Sequence, residues 1–175
     1  LEGLATISEK GVHGDISLKN LLLKRVGGGK VEAVISDFGT FRPLGQEEHG
    51  LTTIRVGSPE YFAKKMVTPK QDVWSMGLAL HEIFSKQWLP CWRCDDEAAV
   101  ARWTSKLSPG WILQCPTKPK TPQFLLDLIN VMLDPRHAHR PSAKEAFKQF
   151  SKGLVSYNGA TSQEAAPTTK TTDTQ

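Results

Sequence analysis

Apolar residues near the start of the chain follow two different periods. The first ones recur at helical spacing and stop at Gly11, which predicts a short helix; they are Leu1, Leu4 and Ile7. Two apolar runs come next, over residues 21–23 and 31–35, and three consecutive glycines lie between them. Two short apolar runs joined by a glycine-rich turn predict a β-hairpin.

The remaining pattern is helical. Pro69 opens a stretch with apolar residues on most faces, which is typical of a buried helix: Val73, Trp74, Met76, Leu80, Ile83 and Phe84. Further stretches predict helices over 96–107 and 122–133, and a last helix with Pro141 in its first turn. The pattern therefore predicts a mainly α chain with one small β-hairpin. The apolar periodicity is lost towards the end of the chain. We therefore expect disorder over residues 152–175, which are rich in Thr and Ser.

Composition narrows the class of protein. A chain of 175 residues with 39% hydrophobic content can bury one core, so we expect one domain over residues 1–151, followed by the tail. The net charge of +4 comes from scattered residues, so nucleic-acid binding is not expected. No apolar run approaches the ~20 residues that span a bilayer, so no membrane association is expected. Three cysteines, an odd number, argue against a disulfide framework and predict a cytoplasmic location, with the nucleus as the alternative.

Three polar residues near the predicted hairpin have the chemistry that phosphoryl transfer requires. Asp15 and Asn20 lie on the loop before the first apolar run, and Asp37 follows the second run. An acidic group can orient an attacking hydroxyl, while an amide oxygen and a carboxylate can hold Mg²⁺. The order and setting of these residues point to phosphoryl transfer.

Four motifs resemble those of the eukaryotic-type protein kinase family. HGDISLKN at 13–20 is similar to the family's HRDxKxxN loop, and Asp37, Phe38 and Gly39 match its DFG triplet. DVWSMG at 72–77 and RPS at 140–142 resemble two further family motifs at family-like intervals. The resemblance covers residues 1–151 and implies the C-terminal lobe of an α+β two-lobe kinase fold, with no N-lobe in these residues.

The resemblance also implies roles for individual residues. Asp15 matches the catalytic aspartate, and Asn20 and Asp37 match the ligands of Mg²⁺ bound to ATP. Leu22 falls where the family places an apolar residue under the adenine, although an ordinary strand core residue would look the same in the sequence. Asp72 matches the residue that accepts hydrogen bonds from the catalytic-loop backbone, and a plain helix N-cap is the alternative.

Two positions depart from the family pattern. Gly14 stands where the family has Arg, so the chain lacks the guanidinium that recognises a phosphorylated activation loop, and phosphorylation of Thr52 or Thr53 is not expected to act as a switch. Ser17 stands where Ser/Thr kinases have Lys. Lys19 is either a surrogate that reaches the migrating phosphoryl group or a solvated lysine.

The end of the activation segment fits the family in two registers. In the first, Glu60 is the family's APE glutamate, Thr53 braces Asp15, and Glu60 pairs with Arg140. In the second, Ser58 is the bracing residue and Lys65 replaces the glutamate, beside Arg140. A partly buried pair of like charges is unfavourable, and the spacing to the DVWSMG motif also fits the first register, which we therefore prefer.

These features predict the catalytic lobe of a Ser/Thr protein kinase, with ATP and Mg²⁺ as cofactors and a protein as substrate. Since no glycine loop or VAIK lysine lies in the sequence, we expect these residues to be inactive without an N-lobe or upstream segment. One alternative is a non-catalytic kinase-like scaffold. A small-molecule phosphotransferase is a second alternative, because its catalytic loop also often contains HGD.

Overall fold

The computed structural model describes residues 1–45, 53–85, 89, 96–115, 117–118 and 121–164, and in these residues α-helices predominate. The helices are α1 (Glu2–Ser8), α2 (Pro59–Lys64), α3 (Pro69–Phe84), α4 (Glu97–Thr104), α5 (Gln123–Met132) and α6 (Ala143–Glu164). The strands are β1 (Gly11–Val12), β2 (Leu21–Val26), β3 (Lys30–Ile35) and β4 (Arg42–Pro43). The prediction of a mainly α fold with a small hairpin is confirmed.

Helix α3 forms the centre of the core. Its Val73 and Met76 pack with residues of α1, α5 and α6 in one buried cluster, while Trp74 and Leu78 belong to a second cluster with residues that include Val100 of α4. The helix begins with a proline at its first turn, where the missing N–H has no intrahelical partner to lose. Because one face of α3 packs in the first cluster and another face in the second, its apolar residues cover most of its surface, as predicted.

Two antiparallel strand pairs border this helical core. Strands β2 and β3 pair from Leu21 with Ile35 to Val26 with Lys30, around the predicted glycine turn. Strands β1 and β4 form a second pair that the sequence did not predict, since two residues per strand are too few to leave an alternating pattern. A Cβ at Gly11 would lie 2.0 Å from the carbonyl oxygen of Arg42, so only glycine allows this close pairing.

The end of the chain differs from its prediction. Helix α6 begins at Ala143, two residues after Pro141, and Ser142 caps it: its hydroxyl accepts the Glu145 N–H, and the Glu145 carboxylate accepts the Ser142 N–H. The helix continues to Glu164, so residues 152–164 are helical where disorder was predicted, and 165–175 lie outside the described residues. The division at residue 151 stays a prediction. No helix of the described residues combines the length and apolar composition needed to cross a membrane.

The continuation of α6 has a packing cause. Phe124 of α5 lies 6.1 Å from Phe150 and 6.0 Å from Tyr157, measured between ring centroids. Aromatic pairs at such distances stabilise the elements that carry them. The contact of Tyr157 therefore supports the helix after residue 151, where the sequence has no regular apolar face.

Candidate active site

A buried carboxylate fixes the backbone of the loop at 13–20. The N–H groups of His13 and Gly14 donate to the two carboxylate oxygens of Asp72, at 2.6 and 2.9 Å. Burial raises the pKa of Asp72 to about 7, although these two hydrogen bonds act in the opposite direction. The predicted contact between Asp72 and the loop is confirmed, so this residue is more than a helix cap.

His13 connects Asp15 to the segment that carries Asp37. Its Nδ1 accepts the N–H of Asp15 at 3.3 Å, so the ring proton lies on Nε2, which donates to the carbonyl oxygen of Ser36 at 3.1 Å. The hydroxyl of Thr40 donates to the His13 carbonyl at 2.6 Å. The sequence pattern gives no sign of the contacts of His13 with Ser36 and Thr40, because they join residues more than 20 positions apart.

Asn20 lies directly beside Asp15. Its Nδ2 donates to the Asp15 carbonyl at 2.8 Å and to the Asp15 carboxylate at 3.0 Å. Ser36 binds the Asn20 carbonyl with its N–H and its hydroxyl, at 2.9 and 3.1 Å, so Asp37 follows at the same end of the hairpin. The fold thus brings together the three residues that the sequence singled out.

Asn20 and Asp37 each present an oxygen atom that could hold a magnesium ion. Since both hydrogens of the Asn20 amide are directed at Asp15, its oxygen is the atom that remains for a ligand. Asp37 is exposed and has a left-handed backbone with φ of 63°, which is uncommon for a residue other than glycine. One of its carboxylate oxygens accepts the Gly39 N–H, and the other is available. Hard oxygen donors of this kind suit Mg²⁺.

A cleft of about 180 Å³ lies against the carboxylate-bearing loop. Apolar residues of α3 line part of it, and its polar lining consists of Asp15, Ser17, Lys19, Thr53, Arg55 and Glu82. Lys19 is exposed and shares the cleft with Asp15, while Thr53 lines the cleft without a hydrogen bond to Asp15 in the described part of the chain. Thr53 therefore lies in the same cleft as Asp15, and its role in bracing Asp15 stays a prediction.

A buried ion pair decides between the two registers. The guanidinium of Arg140 donates to both carboxylate oxygens of Glu60, at 2.7 and 3.0 Å, with both side chains buried. Burial alone would raise the pKa of Glu60, but the hydrogen bonds and charge of Arg140 outweigh it and hold the pKa below its usual value. Lys65 instead pairs with Glu97 at the surface. The first register is confirmed for Glu60.

Ser58 gives a second reason to reject the other register. Its N–H donates to Oε1 of Gln71 at 3.0 Å, and its hydroxyl contacts the same oxygen. Gln71 in turn donates to the carbonyl of Val56 at 3.0 Å. Ser58 therefore connects the start of α2 to α3 by hydrogen bonds, and it does not brace Asp15.

Comparison with known proteins agrees with this geometry. The family model of the protein kinase domain matches residues 1–150, most of the chain. The chain belongs to the eukaryotic-type protein kinase family. The motifs at 13–20, 37–39, 72–77 and 140–142 are therefore those of a kinase, and the contacts of Asp72 and Arg140 are the ones by which this kinase chain holds its loop and its α2 helix.

Curated plant kinases are similar to parts of the chain. The LRR receptor-like serine/threonine-protein kinase IOS1 of Arabidopsis thaliana is 30% identical over 158 residues, which cover 82% of the chain and 17% of that protein. Wall-associated receptor kinase-like 3 of the same plant is 40% identical over 78 residues, which cover 42% of the chain and 10% of that protein. The LRR receptor-like serine/threonine-protein kinase FEI 2, also of this plant, is 39% identical over 79 residues, which cover 42% of the chain and 13% of that protein. The chain thus spans less than a fifth of these relatives.

The backbone of Gly14 and the exposure of Leu22 and Phe38 bear on the roles predicted for this part of the site. Gly14 has a φ of 83°, and a Cβ there would lie 3.3 Å from the Thr40 carbonyl oxygen, so any side chain at this position is strained. Leu22, opposite Val34 in the hairpin, is 53% exposed, which excludes a core role. Phe38 is also exposed, at 51%. The hairpin end of the site therefore presents an open apolar surface.

Proposed function

We propose that the chain is the catalytic lobe of a Ser/Thr protein kinase, which transfers the γ-phosphate of ATP to a hydroxyl of a protein. The observation that carries the proposal is the placement of Asp15. Its carboxylate borders the cleft, Asn20 donates to it, and Asp72 fixes the loop on which it lies. An aspartate held in this way can accept a hydrogen bond from a substrate hydroxyl and orient it for attack.

The other residues of the site take roles around this step. The oxygens of Asn20 and Asp37 would hold Mg²⁺, which bridges the phosphates of ATP and neutralises developing charge. Lys19, which shares the cleft with Asp15, would contact the migrating phosphoryl group in place of the lysine that Ser17 replaces. Leu22 would contact the adenine with its exposed side chain.

A protein substrate with a serine or threonine acceptor is favoured by the activation segment. Glu60 and Arg140 anchor α2, and in this register the hydroxyl residue Thr53 lies where tyrosine kinases usually have proline. The printed names of the similar plant proteins also describe serine/threonine kinases. The cytoplasm, with the nucleus as alternative, would supply ATP and keep the three cysteines reduced.

A second lobe is the partner that this function requires. In the described residues, several apolar side chains of the hairpin and the Phe38 ring next to Asp37 are exposed, as expected of a surface that another segment covers: Leu22, Leu23, Val31, Val34 and Phe38. Without a glycine loop and a lysine over the phosphates, positioning of ATP is incomplete. We therefore expect residues 1–175 alone to transfer phosphate slowly or not at all.

The test is a chimera that places the N-lobe of IOS1 before Leu1. Transfer from radiolabelled ATP to a serine and threonine peptide library should be measured with Asp15→Asn, which should lower the rate by about 10³-fold or more because the hydroxyl loses its acceptor. Asp127→Asn, on the exposed face of α5, is the matched control and should keep the rate.

Two results would contradict the proposal in different ways. A chimera that binds Mg²⁺ and ATP but transfers no phosphate would support the scaffold, the alternative that the departures at Gly14 and Ser17 motivate. Phosphorylation of sugars or aminoglycosides, with no peptide modified, would support the small-molecule phosphotransferase. An active chimera with an unchanged Asp15→Asn rate would refute the role of Asp15.

A further inference from the structure

The outer edge of strand β3 is open to another strand. The hairpin of β2 and β3 is a two-stranded sheet, so in the described part of the chain neither strand has a second neighbour. Every residue of β3 except Ile35 is exposed. Helix α1 lies at the Ile35 end, where a Cβ on Gly3 would be 3.7 Å from Cδ1 of Ile35. An exposed edge of this kind is a template for strand pairing.

The backbone of β3 alternates between groups that bond to β2 and groups that point outwards. The N–H of Ser36 donates to the carbonyl of Asn20 at 2.9 Å, and these two residues continue the register of the hairpin. In an antiparallel pair, such hydrogen-bonded positions recur at every second residue. The even-numbered residues of β3 therefore bond to β2, while the N–H and C=O groups of Val31 and Ala33 are directed at the open edge.

The charged side chains of β3 are complementary to the same sequence read in reverse. Lys30 and Glu32 lie on one face of the strand, on either side of Val31, because side chains alternate between faces. Lys24 lies opposite Glu32 in the hairpin, but neither Glu32 nor Lys30 forms an ion pair within the residues that the structure describes. In an identical strand running the other way, each lysine would face a glutamate.

We propose that β3 pairs with β3 of a second copy of this chain, antiparallel and with Val31 facing Val31 across a twofold axis. The two hairpins then form one four-stranded sheet. The outward N–H and C=O groups of the two valines bond to each other, and Lys30 of each copy faces Glu32 of the other, at the positions where opposite side chains are closest. Because both copies use the same surface, the assembly closes as a dimer.

The charges select this register over its neighbours. Outward-directed backbone groups must meet outward-directed groups, so the twofold axis can move along β3 only in steps of one residue. A step in one direction places Lys30 opposite itself, and a step in the other places Glu32 opposite itself. Like charges directly opposite each other are destabilising. An axis at Ala33 leaves Lys30 opposite Ser36 and Glu32 opposite Val34, so neither charge has a partner.

The dimer is expected to be weak, since only the residues around Val31 pair and small interfaces are typical of transient complexes. Contact between the two valine side chains, each 56% exposed in the single chain, adds to the backbone hydrogen bonds. With the axis at Val31, the Ile35 residues of the two copies lie about 27 Å apart along the strands, so the helical parts lie at opposite ends of the sheet. A strand edge pairs in the plane of the sheet and therefore stays accessible when a second lobe covers a face of the hairpin.

The experiment is sedimentation velocity of the whole 175-residue chain at increasing concentration, which should show a monomer in equilibrium with a dimer. Lys30→Glu places two like-charged pairs in the interface and should weaken the dimer by about tenfold. Lys30→Glu combined with Glu32→Lys restores two opposite-charged pairs and should recover most of the affinity. Arg25→Glu makes the same charge change on β2 of the same hairpin and should leave the dimer unchanged. Circular dichroism checks that each variant is folded.

Disulfide trapping tests the register itself. Two residues that face each other in a hydrogen-bonded pair have Cα atoms about 5.5 Å apart, which suits a disulfide. Under mild oxidation, Val31→Cys should therefore give a covalent dimer in much higher yield than Arg25→Cys or the wild type, whose native cysteines set the background.

Three results would overturn the proposal: a chain that stays monomeric at every concentration, equal trapping of the two cysteine variants, or association that Lys30→Glu does not weaken. The last result would show that the exposed apolar side chains associate without the β3 edge. None of these measurements involves ATP or phosphate transfer, and no residue of the Asp15 site takes part, so the proposed kinase activity and this inference fail independently.

Discussion

Removal of the Glu60 carboxylate tests how α2 is attached to the C-terminal half of the chain. In the Glu60→Gln variant, the guanidinium of Arg140 stays buried and loses its counter-charge. It keeps its hydrogen bonds to the carbonyls of Lys70 and Asp134, at 2.9 to 3.2 Å, and its position 5.0 Å from the Trp74 ring. The perturbation therefore removes charge while changing the side-chain shape very little.

The magnitude follows from the burial of the pair. The side chains of Arg140 and Glu60 are 0% and 6% exposed, so water cannot replace the lost carboxylate. Removing one partner of such a pair costs about 3 to 5 kcal/mol of the free energy of unfolding. The surface pair of Lys65 and Glu97, with side chains 44% and 46% exposed, gives the contrast, since exposed pairs contribute about 0 to 1 kcal/mol.

The assay is urea unfolding of the wild type, Glu60→Gln and Glu97→Gln at neutral pH, followed by circular dichroism. Glu60→Gln should lower the free energy of unfolding several times more than Glu97→Gln does. The pKa of Glu60 lies below its usual 4.5, so its contribution is present above that pH and is lost as the pH falls through the lowered value. The difference between the wild type and Glu60→Gln should therefore shrink in acid.

Equal losses in the two variants would refute the reasoning. They would mean that solvent reaches Arg140, and that the buried ion pair does not fix the position of α2. A difference that stays constant between neutral and acid pH would also contradict it, because the stabilisation would then not come from the ionised carboxylate.

Three further outcomes are expected from the same structure. Because the pKa of Asp72 is raised to about 7 in the folded protein, protonation of Asp72 favours the folded state. The free energy of unfolding should therefore fall by up to about 4 kcal/mol as the pH rises from about 4 to about 7. Asp72→Asn should abolish this part of the pH dependence in urea titrations. Gly14→Ala should lower the free energy of unfolding by about 1 to 2 kcal/mol because of its left-handed backbone; Gly27→Ala, whose φ lies outside the left-handed region and whose Cβ would meet no atom, is the control, and an equal or smaller loss at Gly14 would contradict this. Phe124→Ala should expose the amides of 152–164 to hydrogen exchange, and unchanged protection would show that α6 does not need this ring.

Several elements could be predicted because their signal is local. The apolar positions of α3 repeat over four turns, and the runs before and after the glycines specify the hairpin without reference to any distant residue. Asp15, Asn20 and Asp37 were also singled out from the sequence, and the structure brings them together, while their roles in hydroxyl orientation and metal binding stay predictions.

Other features depend on contacts between distant parts of the chain. The pairing of β1 with β4 involves only two residues on each side, and the contacts of His13 with Ser36 and Thr40 connect the loop to another segment. No local period records such contacts.

By itself, the sequence determined the helices, the hairpin and the three polar residues of the site. It offered two registers for the activation segment, because each placed a hydroxyl and a charged residue at acceptable spacing. The tertiary structure decided between them, because the guanidinium of Arg140, 80 positions away, binds Glu60, while Lys65 pairs with Glu97. It likewise shows that α6 continues past residue 151, where the ring of Phe124 packs against Tyr157. In both cases the energy comes from burying a charge or an aromatic ring against a residue remote in sequence.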